Sequence, residues 1–79
     1  MTMATCFLVF GGEYLADAKK FHSIAAAKEE YLSVARQLDR YGQRIDGSIH
    51  IARTRDDVAE YPDYVLSLGP HGGFKVERT

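Results

Sequence analysis

The chain has no tryptophan, a single cysteine and only two prolines in 79 residues. Cys6 alone cannot close an internal disulfide, which fits a reducing compartment and leaves the fold without a covalent staple. The prolines, Pro62 and Pro70, leave long uninterrupted stretches for helix and strand. Long apolar runs are also missing. The run near the start, Phe7 to Phe10, falls far short of the roughly 20 residues a membrane-spanning helix needs. The opening Met1-Thr2-Met3-Ala4 carries no basic segment of the signal-peptide kind, so a cytoplasmic protein is expected. Neither sign of charge dominates, and the net value of −1 excludes an overall basic nucleic-acid binder and an overall acidic DNA mimic. Repeats, low-complexity tracts and linkers are absent, so residues 1–79 are read as one domain. Hydrophobic residues at 46% and charged residues at 27% are what a globular domain carries.

What is present is patterned. Thr5 to Phe10 is β-branched, aromatic and apolar on both faces, which predicts a central strand covered on both sides and ended by Gly11-Gly12. Glu13 to His22 reads either as a loop or as a hairpin whose return strand is Lys19 to His22. Ser23 is a good helix N-cap. Behind it Ile24, Ala27, Tyr31, Val34, Leu38 and Tyr41 recur at steps of three and four, predicting an amphipathic helix over 24–41. Lys28, Glu29, Ser33, Arg36 and Arg40 form its other face, and Gly42 stands where a left-handed cap favours glycine. After Asp46-Gly47, Ile49 and Ile51 alternate with His50 and Ala52 as a strand with one buried face, which puts His50 on the exposed side. Asp56 to Glu60 reads as a single helical turn closed by Tyr61-Pro62. Tyr64, Leu66 and Leu68, then Phe74 and Val76, mark two strands joined by Gly69-Pro70-His71-Gly72-Gly73 as an antiparallel hairpin. The expected class is α+β: a small antiparallel sheet of four or five strands, one long amphipathic helix packed on one face, order β(β)αβββ. So small a core is marginally stable, and a homodimer hiding the sheet's other face or an edge strand would relieve it.

The residues that carry chemistry are scattered. His22, His50, His71 and Cys6 lack the close pairs of a zinc site, and no metal or cofactor is expected. The glycine loop at 69–73 leads into a strand rather than a helix, so a turn explains it better than a phosphate cradle. For nucleophilic catalysis Ser23 has a cap to make, Ser67 lies within a strand, and Cys6 sits in an apolar run that raises its pKa. Glu29-Glu30 and Asp56-Asp57 are adjacent pairs that point apart on a helix. An enzyme is not expected.

The layout of charge says more than its total. Arg36, Arg40, Arg44, Arg53 and Arg55 face only Asp39 and Asp46 within residues 36–55, whereas Asp56, Asp57, Glu60 and Asp63 fill 56–63 without a base. Arg36 and Arg40 are one helical turn apart and can extend through Arg44 into a basic stripe. Arginine without lysine favours bidentate contact with carboxylate or phosphate. Solubility or pairing among themselves would equally explain these charges. If the segregation is functional, a dipolar surface suits a charged protein partner better than DNA, whose phosphates the acidic segment would repel. Of five tyrosines, Tyr31 and Tyr41 belong to the helix stripe, and Tyr14, Tyr61 and Tyr64 flank loops where they can anchor a partner.

In layout, FLVFGG, the helix SIAAAKEEYLSVARQLDRYG and the terminal hairpin YVLSLGPHGGFKVERT resemble small phage and mobile-element proteins, in particular anti-CRISPR inhibitors of type I CRISPR complexes. The resemblance spans the whole chain and carries no functional residue across. It implies a non-enzymatic inhibitor in the cytoplasm of a bacterial host, docking on a type I surveillance complex through CRISPR-associated subunits and blocking its nucleic-acid binding. Arg36, Arg40, Arg44, Arg53 and Arg55, or Asp56, Asp57, Glu60 and Asp63, would meet an oppositely charged surface, with Tyr61 and Tyr64 as anchors. The alternative is a small nucleic-acid-binding module or antitoxin-like regulator using the same arginine stripe, with affinity that falls steeply with salt.

Overall fold

The structure is a computed structural model that describes residues 5–11, 13–69 and 73–79. Gly12 and the centre of the 69–73 loop, with His71, lie outside the described residues. Strand β1 (Cys6–Phe10) is followed by a 3-10 turn at Leu15–Asp17, β2 (Lys19–Phe21), helix α1 (Ile24–Asp39), β3 (Gly47–Ile51), a second 3-10 turn at Arg55–Asp57, β4 (Tyr64–Leu68) and β5 (Phe74–Arg78). The five strands form one antiparallel sheet in the order β2-β1-β3-β4-β5, so the fold is α+β as the patterning predicts. Residues 19–21 take the hairpin alternative. Apolar on both sides, β1 is flanked by β2 and β3, and Cys6, Phe7 and Leu8 are all buried.

Helix α1 starts where Ser23 Oγ accepts the Ala26 amide at 3.1 Å, with Ser23 itself extended. It stops at Gly42, whose φ of +76° favours glycine; Gln43 N–H then reaches Leu38 C=O and Gly42 N–H reaches Asp39 C=O. The buried stripe is Ala27, Tyr31 and Ala35, set against Cys6, Leu8, Ile49 and Leu66. Two alanines bring the helix close to the sheet, and Tyr31 is the one large side chain driven into it. Its ring stacks on Phe10 at 6.1 Å between centroids, and its hydroxyl donates to Ile45 C=O at 2.8 Å. A side chain on Gly47 would put its Cβ 2.6 Å from the Tyr31 ring, so glycine is required there by proximity. Burial pushes the Cys6 thiol above its ordinary range, and burial with the nearby Asp46 charge pushes the Tyr31 phenol up.

Several expectations are corrected. Tyr41 lies past the end of α1 and is 82% exposed; its amide bonds Leu38 C=O, one residue short of the helical partner, in the turn that Gly42 closes. Val34 and Leu38 are half-buried at the rim of the stripe rather than within it. The residues of 56–60 form no complete α-turn; the 3-10 turn covers 55–57 only. His50 is buried at 5% exposure, whereas Ile51 is 42% exposed. Ile51 is left open because β4 begins opposite Ile49, so among the described residues no strand flanks it on that side. His50 is covered because the segment between β3 and β4 folds over the face away from the helix. Asp63 holds that segment at its far end, accepting the Ile51 amide at 2.7 Å and donating its own amide to Ile49 C=O.

Candidate functional site

The predicted charged residues divide into two patches on opposite sides of the sheet. Arg36 and Arg40 project from the outer face of α1, one turn apart, and both border a shallow groove with Glu29, Leu32, Ser33 and Gln37. An adjoining groove continues over Val34 and Leu38 to the exposed Tyr41, sharing Gln37 and Arg40. Neither Arg36 nor Arg40 forms an ion pair among the described residues, whereas Lys19 engages Glu30 and Lys75 engages Glu77, each at 2.8 Å. The helix thus presents two uncommitted guanidinium groups beside a small apolar floor and an exposed phenol.

Arg44 does not extend this stripe. Its Nη1 donates to Leu68 C=O at 2.8 Å and to Gly69 C=O at 3.2 Å, and its Nε lies 3.7 Å from Asp39. It fastens the exit of α1 to the end of β4. On the other side of the sheet Arg55 is similarly committed. Its Nη1 donates to Ala16 C=O at 2.7 Å, and its guanidinium lies 5.2 Å from the Phe7 ring centroid. Asp57 accepts from Thr54 Oγ1 at 2.9 Å, and Asp63 holds the Ile51 amide. Four of the eleven candidate residues therefore serve the fold. Arg53, Asp56, Glu60 and Tyr61 remain exposed on the covering segment, Tyr61 at 82%. Tyr64 is half-buried against the core with Lys28 Nζ 5.4 Å from its ring centroid, so it is not the open anchor its position suggested.

One arrangement has no precursor in the sequence reading. His50 Nδ1 lies 2.9 Å from Ala59 C=O and Nε2 lies 3.3 Å from Ser48 Oγ. A carbonyl only accepts, so Nδ1 carries the proton; in the neutral ring Nε2 then accepts the Ser48 hydroxyl. The signal for it is Ser48-Ile49-His50, an i, i+2 pair on one face of a strand, which alternation alone assigns to the surface. With Nδ1 on a main-chain carbonyl and the ring buried, the pair ties the covering segment down. Its serine–histidine contact resembles the first step of a catalytic relay.

His22 is exposed, and no cluster of three or more His, Cys, Asp or Glu suited to a metal exists among the described residues. Among them, too, no helix is long and apolar enough to cross a membrane. Comparison with protein-family models, characterised proteins and solved structures finds no match to this chain, so the residues on the outer face of α1 stand on their own chemistry.

Proposed function

We propose that the protein is a non-enzymatic inhibitor that binds a bacterial protein complex through the outer face of α1, in the manner of the anti-CRISPR proteins it resembles in layout. The observation that carries this reading is the pairing of uncommitted Arg36 and Arg40 with the apolar strip Val34–Leu38 and the exposed Tyr41. Arginine and tyrosine around a small apolar centre are the composition of interface hot spots. The partner is then a protein surface with carboxylates spaced to meet two guanidinium groups one helical turn apart. In the sharpest form that surface belongs to a type I CRISPR surveillance complex, and occupying it blocks nucleic-acid binding. Arg44 and Arg55 are spent on main-chain carbonyls, which leaves too short a basic track to favour direct nucleic-acid binding.

The test measures target-DNA binding by purified type I surveillance complexes with and without an excess of the protein. Inhibition is expected, and R36E/R40E should weaken it more than tenfold while leaving the circular dichroism spectrum and melting temperature unchanged. Unaltered DNA binding at saturating protein would refute the CRISPR assignment. Inhibition that survives the double charge reversal would remove the helix face from it.

A further inference from the structure

We propose that β5 pairs with β5 of a second copy of this chain, antiparallel about a two-fold axis through Val76, so that two sheets join edge to edge. The two edges of the sheet are unlike. Strand β2 is three residues long with lysines at 19 and 20, and a two-fold copy would set Lys20 against itself. Strand β5 is five residues long, FKVER, with no proline and, among the described residues, no strand on its outer side.

The alternation of the ladder decides which main-chain groups face outward. Gly69 N–H donates to Gly73 C=O at one end of the β4–β5 pair, and Thr79 N–H donates to Asp63 C=O at the other. These fall in the same register as Val65↔Glu77 and Ser67↔Lys75, so Lys75 and Glu77 turn their amides and carbonyls toward β4. The amides and carbonyls of Phe74, Val76 and Arg78 therefore point out of the sheet. A second antiparallel strand must pair outward residues with outward residues, which leaves three central registers. Centring on Lys75 places Lys75 against its own copy, and centring on Glu77 does the same with Glu77. Centring on Val76 sets Lys75 of each chain opposite Glu77 of the other, on the face away from α1, and matches Phe74 to Arg78 through the main chain.

Within one chain Lys75 and Glu77 already pair at 2.8 Å, with most of both side chains in solvent; the contact raises the lysine's pKa and lowers the glutamate's. In the dimer the same two charges become a four-member alternating cluster. Charged residues commonly protect a sheet edge from pairing. Here their order makes one register attractive and its two neighbours repulsive, which selects a defined dimer rather than blocking association. This contact is independent of the α1 reading, since it uses the opposite face and edge.

Sedimentation velocity of the full chain over a concentration series tests the proposal. The expected result is a monomer–dimer equilibrium with a dissociation constant below about 100 µM. K75E and E77K should each weaken it at least tenfold, because each sets like charges opposite across the axis. An equimolar mixture of the two variants should associate again, since the acidic strand of one meets the basic strand of the other. The double reversal K75E/E77K should dimerise like the wild type, which guards against misfolding of either single variant. A wild-type chain that stays monomeric to about 1 mM, a dimer indifferent to both single reversals, or a mixture that fails to associate would overturn it.

Discussion

The two faces of the sheet are covered by different means. On one, α1 lays Ala27, Tyr31 and Ala35 against Cys6, Leu8, Ile49 and Leu66, and the contact is almost wholly apolar. On the other, an irregular segment is fastened by directional contacts: His50 to Ala59 C=O, Arg55 to Ala16 C=O and the Phe7 ring, Asp63 to the Ile51 amide. The first kind of cover is non-directional and scales with area, so it tolerates small shifts and fails when volume is wrong. The second depends on particular atoms, and each fastening contributes about 1 kcal/mol unless its loss strands a buried polar group. The helix-bearing face therefore holds the fold, and the strapped face closes it.

Volume changes on the helix-bearing face should break this contrast most severely. Tyr31→Ala removes the only large side chain α1 buries and the hydroxyl bond to Ile45, and should cost about 3–5 kcal/mol. In so small a domain that is a large fraction of the total stability. Gly47→Ala attacks the same contact from the sheet. The new Cβ must displace a buried ring inside a central strand, at about 1–3 kcal/mol. Urea denaturation followed by circular dichroism reads both. A Gly47→Ala protein as stable as the wild type would mean that Tyr31 can move aside and that the helix is held less tightly than the geometry indicates.

The strapped face should respond less, and locally. His50→Ala leaves Ala59 C=O and Ser48 Oγ without their ring partner and opens the sheet beside Phe7, at about 1–3 kcal/mol. Hydrogen exchange should rise first in residues 52–63 while amides of β1 and β3 stay protected. Equal loss of protection throughout the sheet would show that both covers belong to one cooperative unit and erase the distinction between them. Ser48→Ala, which removes only the weaker 3.3 Å contact, should cost less than His50→Ala.

The same division explains what could be read from the chain. Helix α1 and the β4–β5 hairpin were legible because their apolar residues follow a period, of 3.6 and of 2, and glycine or serine marks their ends. Burial of His50 was not legible, because what covers it is a segment with no period at all. Alternation puts Ile51 on the helix-bearing face with Ile49, yet its side chain is 42% exposed, against the expectation of burial. Among the charged residues, Arg36 and Arg40 were legible from their one-turn spacing. The main-chain bonds of Arg44 and Arg55 were not legible, because their acceptors are carbonyls 24 and 39 residues away, which no local pattern announces. Tyr41 shows the limit of extrapolating a stripe: its step of three from Leu38 fits the helix, but α1 ends at Asp39 and Tyr41 falls in the closing turn.

The smallest expected effect isolates one fastening. Arg55 touches the Phe7 ring face with its guanidinium and Ala16 C=O with one N–H, and its side chain is otherwise in solvent. An exposed cation over an aromatic ring contributes about 0.5–1 kcal/mol. Removing the arginine strands no buried charge, and the Ala16 carbonyl can turn to water, so Arg55→Ala should cost no more than that amount. Arg55→Lys keeps the charge but not the planar group that can lie on the ring and bond sideways at once, so it should recover only part of the loss. The Ala16 contact joins the second 3-10 turn to the first and the Phe7 contact joins it to β1, so exchange should quicken at residues 15–18 as well as 55–58, without change in α1. If Arg55→Ala instead costs as much as Gly47→Ala, the strap holds the sheet as firmly as the helix does, and the two faces differ in chemistry but not in weight.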